Sequence, residues 1–414
     1  MVACLMCGRP LQVSAGRGRT SVYCSAACRQ KAYRARRSTG TSGGTLDAVH
    51  RVIADMSLRM QLLAVDPERV SRPAAEPAVE KPQENASEGT FTDLVEPYRR
   101  EIQAYCYRML GSYDDAEDLV QDVFLRAWRG KDAFAGRASV RTWLYRIATN
   151  ACMDFLRRNQ REPQRYEPLP GFDSGAEEGP ERVPWLQPYP DQLLDLDTAP
   201  DSAAVSRETL ELVFLTAIQH LPPRQRAVLL LRDVLDWSAA ATAEQLEITV
   251  ATVNNDLQRA RPVLRQHLPA RRADWAVTTG PSAEEKALVE RYMAAANSGD
   301  LDAMGELLTD GTVLTMPPNP LWFVGRDAIL AFLRPSLLPD SPAYVGAWRS
   351  LATSANRQPA VAHYLQRPGT AVFRAQVLDV LRVEGGRIVQ ITAFEPHLFP
   401  AFGLPLKLPP LPLS

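Results

Sequence analysis

Apolar residues with helical spacing begin at Phe91 and predict a helical first part of the chain. In the segment DDAEDLVQDVFLRAWR the apolar residues follow steps of three and one, so they form one stripe of a helix. A further helix is predicted from Val140 to Arg158, with Ser139 as its N-cap. Helices are predicted again from Ser206 to about His267. The first stripe consists of Ala116, Leu119, Val120, Val123, Phe124, Ala127 and Trp128.

The pattern changes after Gly280-Pro281. One more helix is predicted in AEEKALVERYMAAANSG, and four runs rich in β-branched and aromatic residues follow it: GTVLTM, HYLQR, TAVFRAQVLDVLRV and RIVQITAF. This order predicts an α+β domain. The tail after Glu395 contains six prolines, which predicts irregular structure there.

Two segments read as linkers. Residues 65–89 are rich in Pro, Glu, Ala and Ser and contain no aromatic residue, which predicts a flexible connection. Residues 161–205 carry ten acidic and three basic residues, which predicts a second, acidic linker. The predicted division is a cysteine-rich unit at 1–40, a short helix and flexible linker at 41–90, helical domains at 91–160 and 206–272, the acidic linker at 161–205, an α+β domain at 283–396 and a Pro-rich tail at 397–414.

Composition narrows the class of protein. A length of 414 residues suggests two to four domains, and 45% apolar with 23% charged residues excludes wholesale disorder. No apolar run approaches the ~18 residues that a membrane helix needs. The start, MVACLMCGRP, does not have the pattern of a signal peptide. We therefore predict a cytoplasmic protein without a membrane partner.

Four of the six cysteines lie in residues 1–40, which also hold eight basic residues and no acidic one. Their spacing, C-x2-C-x16-C-x3-C, predicts a small zinc knuckle in which Cys4, Cys7, Cys24 and Cys28 bind a structural Zn²⁺. The alternatives are two disulfides or unbound thiols. The basic helix predicted after Cys24 either contacts nucleic acid phosphates or is a solvated face of the knuckle.

Charge is divided within residues 91–160. Five acidic residues crowd the start of the striped helix, where they also suit the helix dipole. The later half is basic and interleaved with Phe134, Trp143 and Tyr145. Aromatic rings among cations suit a single-stranded nucleic acid, because bases stack on rings and phosphates pair with charge. From the residues alone, Trp143 and Tyr145 could equally belong to the core.

The string YCYRMLGSYDDAEDLVQDVFLRAWRG, with TWLYRIATNACMDFLRR after it, resembles region 2 of extracytoplasmic-function (ECF) sigma factors of the sigma-70 family. The resemblance implies that one helix docks on core RNA polymerase through Glu117, Asp118, Gln121, Asp122 and Leu125. It also implies that Phe134–Asp154 reads and melts the −10 promoter element, with a base-capturing loop at 132–140. The residues expected to contact the −10 DNA are Phe134, Arg137, Arg141, Trp143, Tyr145, Arg146 and Asn150.

Residues 206–272 contain the pattern helix, short helix, turn, helix, with the turn at 247–249. This predicts a helix-turn-helix whose last helix enters a major groove, although a generic amphipathic three-helix bundle fits the pattern as well. Asn and Gln are natural partners of adenine, and Arg reaches phosphate or guanine. The candidate base readers are Ala251, Thr252, Asn254, Asn255, Gln258, Arg259 and Arg261.

The segment LPPRQRAVLLLRDVLDWSA with the later RAR resembles region 4 of the same family, which contacts the −35 element. Three departures from that family's pattern stand out. Ala241-Thr242 replace Glu and an apolar residue, Asp256 replaces a base, and Pro262 interrupts the last helix. Because proline removes a backbone hydrogen bond, a kink after Arg261 is predicted.

Residues 283–396 resemble the SnoaL-like cone, an α+β barrel with a pocket, and WLQPYPD in the acidic linker resembles ECF sigma factors that carry this domain. The resemblance implies that the cone modulates polymerase binding or activity in cis. His363, Asp379 and Glu395 are ionisable candidates for catalysis, but structural roles are favoured. Core packing is favoured for Trp322, Phe323 and Tyr364 over lining a pocket. A small-molecule ligand of the cone is a hypothesis.

The predicted protein is multidomain, with a zinc knuckle, two all-α sigma domains and a C-terminal α+β cone. Its predicted function is that of an RNA polymerase sigma factor, with core RNA polymerase and promoter DNA as partners and no enzymatic reaction of its own. Two alternatives remain: a stand-alone helix-turn-helix regulator, and an enzyme that acts through the cone.

Overall fold

The computed structural model describes residues 86–134, 139–159, 169, 171–177, 179, 186–194, 212–268 and 282–410. The first helical domain contains four α-helices and two short 3-10 turns. The first helix begins at Ala86 rather than at Phe91, inside the segment predicted to be linker. The helices are α1 (Ala86–Val95), α2 (Arg99–Leu110), α3 (Tyr113–Gly130) and α4 (Val140–Arg158), with the turns at Glu96–Tyr98 and Lys131–Ala133.

Local signals define the ends of these helices. Gly111 ends α2 in the left-handed conformation, which favours glycine. Ser112 caps α3 and Ser139 caps α4 by accepting backbone N–H groups of Asp115 and Thr142. The predicted stripe of α3 faces the core, with Trp128 half-buried and the other members buried. The two cysteines of this domain, Cys106 and Cys152, are buried core residues.

The second helical domain has the predicted helix-turn-helix. Glu247 ends the short helix in the left-handed conformation, and Thr249 caps the last helix. The kink predicted after Arg261 does not end this helix, which continues through Pro262 to His267. The helices are α5 (Leu212–Gln219), α6 (Pro223–Leu229), α7 (Ala239–Leu246) and α8 (Val250–His267), with a π-helical segment at Leu230–Val234.

The C-terminal cone is a curved sheet covered by helices. Its strand order is β2-β1-β6-β5-β4-β3, with β7 on β5, and the pair β1–β6 is parallel while the others are antiparallel. The four strand runs predicted from the sequence are all present. The elements are α9 (Ala283–Ser298), α10 (Leu301–Leu307), β1 (Leu308–Met316), β2 (Asn319–Val324), α11 (Arg326–Leu337), β3 (Ala347–Ala355), β4 (Gln358–Gln366), β5 (Phe373–Glu384), β6 (Arg387–Phe394) and β7 (Lys407–Leu408).

The tail after Glu395 is not irregular as predicted. Residues Pro396–Phe402 form a 3-10 helix, and Leu408 pairs with Phe373 on β5. Proline is tolerated in the first turn of a helix, and Leu398, Phe399 and Phe402 anchor the segment because their side chains are buried. The prolines therefore belong to an ordered segment that packs on the cone.

The two helical domains pack against each other through a buried arginine. Arg226 on α6 donates from Nη1 to the carbonyl of Met109 at the end of α2, and from Nη2 to carbonyls of its own domain at Gln219 and Leu221. Burial lowers the pKa of Arg226 to about 10. The carbonyl partners compensate part of the cost of removing this cation from water. None of the described helices has the length and apolarity to cross a bilayer.

Candidate functional site

The face of α3 predicted to bind polymerase is open to solvent. Glu117, Asp118 and Gln121 are exposed, and 54% of Leu125 is accessible. Asp122 is half-buried and pairs with Arg126 at 2.7 Å on the same helix. The helix thus presents an acidic rim around one exposed leucine, which we call the α3 face.

Two of the residues predicted to contact the −10 element, Phe134 and Trp143, form an aromatic pair beside the start of α4. The ring of Trp143 lies 4.7 Å from that of Phe134, and both side chains are half-buried. Asn150 is exposed further along the helix. Arg137 lies outside the described residues, as do its neighbours at 135, 136 and 138.

Tyr145 does not lie on a surface, so the prediction that it contacts DNA is wrong for this structure. Its side chain is fully buried, its hydroxyl donates to Glu101 at 2.8 Å, and its ring packs on Tyr105. Burial, with the Glu101 carboxylate as a second cause, raises the pKa of Tyr145 well above its ordinary value. Arg141, predicted beside it, also donates from Nε to Glu101 at 2.8 Å. The buried Glu101 carboxylate requires these donors, which explains why both side chains turn inward.

The second helical domain packs against the part of α4 that carries Tyr145 and Arg146. Arg146, a predicted −10 contact, is paired with Glu247 in the turn of the helix-turn-helix. Trp237, just before α7, packs edge-on against Tyr145 with ring centroids 5.5 Å apart. The α4 surface expected to contact the −10 DNA is therefore partly covered by the second helical domain.

The recognition helix α8 presents the predicted base readers. Six of the seven are exposed, and Thr252 is half-buried beside the capping Thr249. Arg261 is exposed and also makes a two-pronged ion pair with Asp233, at 3.0 and 2.9 Å. The exposed readers are Ala251, Asn254, Asn255, Gln258, Arg259 and Arg261.

Asp256, which departs from the family pattern, has a structural partner. Its carboxylate is buried and accepts from Arg224 Nε at 2.7 Å. The pair joins α6 to α8 inside the second helical domain. The acidic residue therefore belongs to the scaffold that holds the recognition helix, and it does not face the groove side.

Part of the acidic linker docks as a strap at residues 186–194, which the sequence reasoning did not predict. Gln187 donates its backbone N–H to the carbonyl of Gly111 at 2.9 Å. Its side chain accepts from Ser112 Oγ at 2.8 Å and donates to Asp114 Oδ2 at 2.8 Å. The strap thereby occupies the corner between α2 and α3.

The tip of the β3–β4 hairpin joins the strap to the first helical domain. Asn356 has a φ of 56°, a left-handed conformation that asparagine tolerates better than most residues. Its Nδ2 donates to the hydroxyl of Tyr107 at 2.8 Å, and its Oδ1 accepts the backbone N–H of Tyr189 at 2.7 Å. Tyr107 in turn donates to the carbonyl of Gln187 at 2.8 Å. Asn356, Tyr107, Gln187 and Tyr189 form one buried junction between the cone, the strap and the first helical domain.

The WLQPYPD motif singles out this segment in the sequence, but it does not indicate that the segment docks or which residues it contacts. Nothing local in the sequence links Asn356 to Tyr107, because the two residues are 249 positions apart. The tail adds a further contact, since His397 Nε2 lies 3.1 Å from Asp114 Oδ2.

Two of the three ionisable candidates in the cone come together. His363 Nε2 lies 3.2 Å from Asp379 Oδ2, whereas Glu395 lies beside His397 at 3.5 Å. Trp322, Phe323 and Tyr364 are buried in the core and do not line the cavity beside His363, as predicted.

The predicted zinc ligands Cys4, Cys7, Cys24 and Cys28 lie outside the described residues. Among the residues that the structure does describe, no three His, Cys, Asp or Glu side chains are grouped to hold a metal ion.

Family models match all three described domains. The Sigma-70 region 2 model matches residues 94–162, the Sigma-70 region 4 model matches 211–262, and the SnoaL-like domain model matches 289–391. The matches follow the two helical domains and the cone.

Individual proteins give the same result over longer stretches. The chain is 42% identical to the ECF RNA polymerase sigma factor SigG of Mycobacterium tuberculosis over 328 residues, which is 77% of this chain and 85% of SigG. It is 35% identical to the ECF RNA polymerase sigma factor SigW of Bacillus subtilis over 43% of this chain and 88% of SigW. The crystal structure of the M. tuberculosis ECF sigma factor SigJ aligns with a TM-score of 0.46 at 20% identity, covering 74% of this chain and 95% of SigJ. With two sigma regions and a SnoaL-like domain in this order, the chain belongs to the ECF RNA polymerase sigma factors.

Proposed function

We propose that this sigma factor binds core RNA polymerase through the α3 face and promoter DNA through α4 and α8. As a sigma factor it is not an enzyme, and we expect it to act in the cytoplasm, where core polymerase works. The observation that carries the proposal is the exposed α3 face, with Leu125 inside an acidic rim, on a helix within the Sigma-70 region 2 match. A pull-down of purified core polymerase tests it, because a stand-alone helix-turn-helix regulator would not be retained.

The −35 contacts follow from the exposed side of α8. Asn254, Asn255 and Gln258 can bond to adenine edges, while Arg259 can reach guanine or phosphate. The proposed −10 contacts are Phe134, which precedes α4, and Trp143, Arg146 and Asn150 on α4, with Arg141 available if it leaves Glu101. We retain Arg137 as a proposed contact from the sequence alone.

Replacement of Gln258 by alanine is expected to weaken −35 recognition by about 1–3 kcal/mol, or roughly 5- to 150-fold, if it pairs with a base. The loss should be confined to promoters with the preferred base at one position. Gln266→Ala on the same helix is the matched control, because Gln266 is exposed and is not among the proposed readers. Equal losses on all promoter sequences, measured by filter binding of the holoenzyme, would contradict base reading by Gln258.

The arrangement of the two helical domains implies a closed form. The promoter elements are named by position, so the −10 and −35 elements lie about 25 base pairs apart. This is roughly 85 Å on B-form DNA at about 3.4 Å per base pair. Domains joined by Arg226 and by the Arg146–Glu247 pair cannot reach both elements at once. We infer that the described structure is a resting form whose helical domains separate when the chain binds core polymerase to form the holoenzyme.

The cone is the proposed regulator in cis. The junction at Asn356 ties it to the first helical domain and to the strap, which belongs to the segment that must extend when the helical domains separate. The cone therefore favours the closed form, because it bonds both to the first helical domain and to the strap within this segment. Its proposed effect is inhibitory until the junction opens.

Asn356→Gly tests the junction. Glycine keeps the left-handed backbone but leaves the Tyr189 N–H without its acceptor, at a cost of about 1–3 kcal/mol, and removes the donor to the Tyr107 hydroxyl, which keeps its bond to the Gln187 carbonyl. We expect the cone to unfold in a separate calorimetric transition and run-off transcription to increase several-fold. Asn356→Asp, which replaces the Nδ2 donor by a buried carboxylate oxygen facing the Tyr107 hydroxyl, should have an effect at least as large. A single unchanged transition together with unchanged transcription would contradict the proposed role of the junction in holding the cone and inhibiting transcription.

A structural Zn²⁺ at Cys4, Cys7, Cys24 and Cys28 remains a proposal, supported by the spacing of two short cysteine pairs. The full chain is expected to contain one zinc per molecule by elemental analysis. Cys24→Ser should lower this content sharply, while Cys152→Ser, at a buried cysteine outside the cluster, should not. A wild-type content near zero after purification without chelators would exclude the site.

A further inference from the structure

The cone contains a cavity of about 130 Å³ that none of the proposed polymerase or promoter contacts uses. It is lined mainly by apolar side chains from α9, α10, α11 and the sheet, including Met304, Leu314 and Phe332. An engineered apolar cavity of about 150 Å³ in another protein accepts benzene, so this one suits a molecule with a single ring.

One side of this cavity carries polar groups. Asp379 and His363 face it, and both residues are buried. Tyr292 donates its hydroxyl to Asp379 Oδ2 at 3.0 Å, and His363 Nε2 lies 3.2 Å from the same oxygen. Among the described residues, both side-chain partners of this carboxylate therefore lie at Oδ2, which leaves the lone pairs of Oδ1 for a further donor.

The hydrogen-bond chain behind His363 defines its protons. Ser350 Oγ donates its one proton to Asn297 Oδ1 at 2.7 Å, so at its 2.8 Å contact with His363 Nδ1 it can only accept. Nδ1 therefore carries a proton. His363 Nε2, at 3.2 Å from Asp379 Oδ2, makes no hydrogen bond in the described part of the chain, so Tyr292 is the only side chain there that donates to this carboxylate.

We propose that this cavity binds a small neutral molecule with one ring and one hydroxyl group, whose hydroxyl donates to Asp379 while the ring fills the apolar part. A ligand carboxylate would lie beside that of Asp379, and an ammonium would lose its hydration in an otherwise apolar cavity. A purely apolar ring would fill the space but would leave the carboxylate without its added donor. The inference goes beyond the sigma function, and its test needs neither polymerase nor DNA.

Phenol is the probe, and calorimetric titration of the full chain is the measurement. We expect a dissociation constant on the order of 0.1 mM for phenol, as a ligand of this size can reach, and binding at least tenfold weaker for toluene. Benzylammonium and benzoate should not bind measurably. Absence of phenol binding, equal affinities for phenol and toluene, or tighter binding of either ion would overturn the proposal.

Substitutions in and outside the cavity test whether phenol binds there. Ala393→Leu should fill the cavity and abolish phenol binding, whereas Ala352→Leu is the matched control because Ala352 is exposed on β3. Val345→Phe narrows the half-buried edge of the cavity and serves if Ala393→Leu does not fold. Asp379→Asn should weaken phenol about tenfold while leaving toluene unchanged. Phenol binding that survives both cavity substitutions in folded protein would overturn the assignment.

Discussion

Replacement of Leu125 by arginine is expected to weaken the binding of core RNA polymerase by about 2 kcal/mol or more, which is roughly 30-fold in the dissociation constant. The leucine is the apolar centre of the α3 face, and its acidic neighbours form the polar rim. Large effects at interfaces come from such central residues, because they are desolvated completely on binding. In the complex with core polymerase, Leu125→Arg would place a cation at this desolvated position.

The chain offers a matched control in Leu406, which is 46% exposed in the tail of the cone. Leu406→Arg makes the same chemical change outside both helical domains and should leave the affinity for core polymerase unchanged. Thermal melting of both variants should match the wild type, because neither leucine belongs to a core. Equal affinities of the two variants for core polymerase would contradict the assignment of the α3 face.

Replacement of Trp237 by alanine is expected to change the same affinity in the opposite direction, on the order of a tenfold increase. In the proposed account the holoenzyme contains the open form, so the apparent affinity for core polymerase is reduced by the fraction of molecules that are closed. The Trp237–Tyr145 contact stabilises the closed form, and an aromatic pair contributes about 0.5–1.5 kcal/mol beyond the area that it buries. Its loss raises the open fraction.

Fluorescence energy transfer between dyes at positions 129 and 265, both exposed, reports the opening directly. The transfer should fall in Trp237→Ala and remain unchanged in Trp128→Ala, because Trp128 packs on Phe91 within the first helical domain. A Trp237→Ala variant with unchanged transfer and weaker polymerase binding would show that the contact does not restrain the sigma factor.

Much of each domain could be predicted from the sequence because its signals are local. The stripe of α3 and the Ser139 cap of α4 depend on residues three or four positions apart. The strand runs of the cone are likewise continuous in the sequence. The exposed faces of α3 and α8 follow from the same periodicity, since the residues outside an apolar stripe point to solvent.

The errors have a common cause, which is contact between distant segments. Tyr145 lies among basic residues in the sequence, but the buried Glu101 on α2 draws it inward. The tail has the composition of an irregular segment, yet its phenylalanines find a core on the cone. The junction at Asn356 depends on three segments that are far apart along the chain. Periodicity predicts which side of an element is buried and does not predict its partner.

Transcription from a randomised promoter library by purified core polymerase and this chain tests the central claim most directly. The account predicts transcripts that start only when the sigma factor is present, from templates enriched in two short elements about 25 base pairs apart. It also predicts that Leu125→Arg strongly reduces these transcripts. Full binding of the chain to DNA without any transcript from core polymerase would contradict the account.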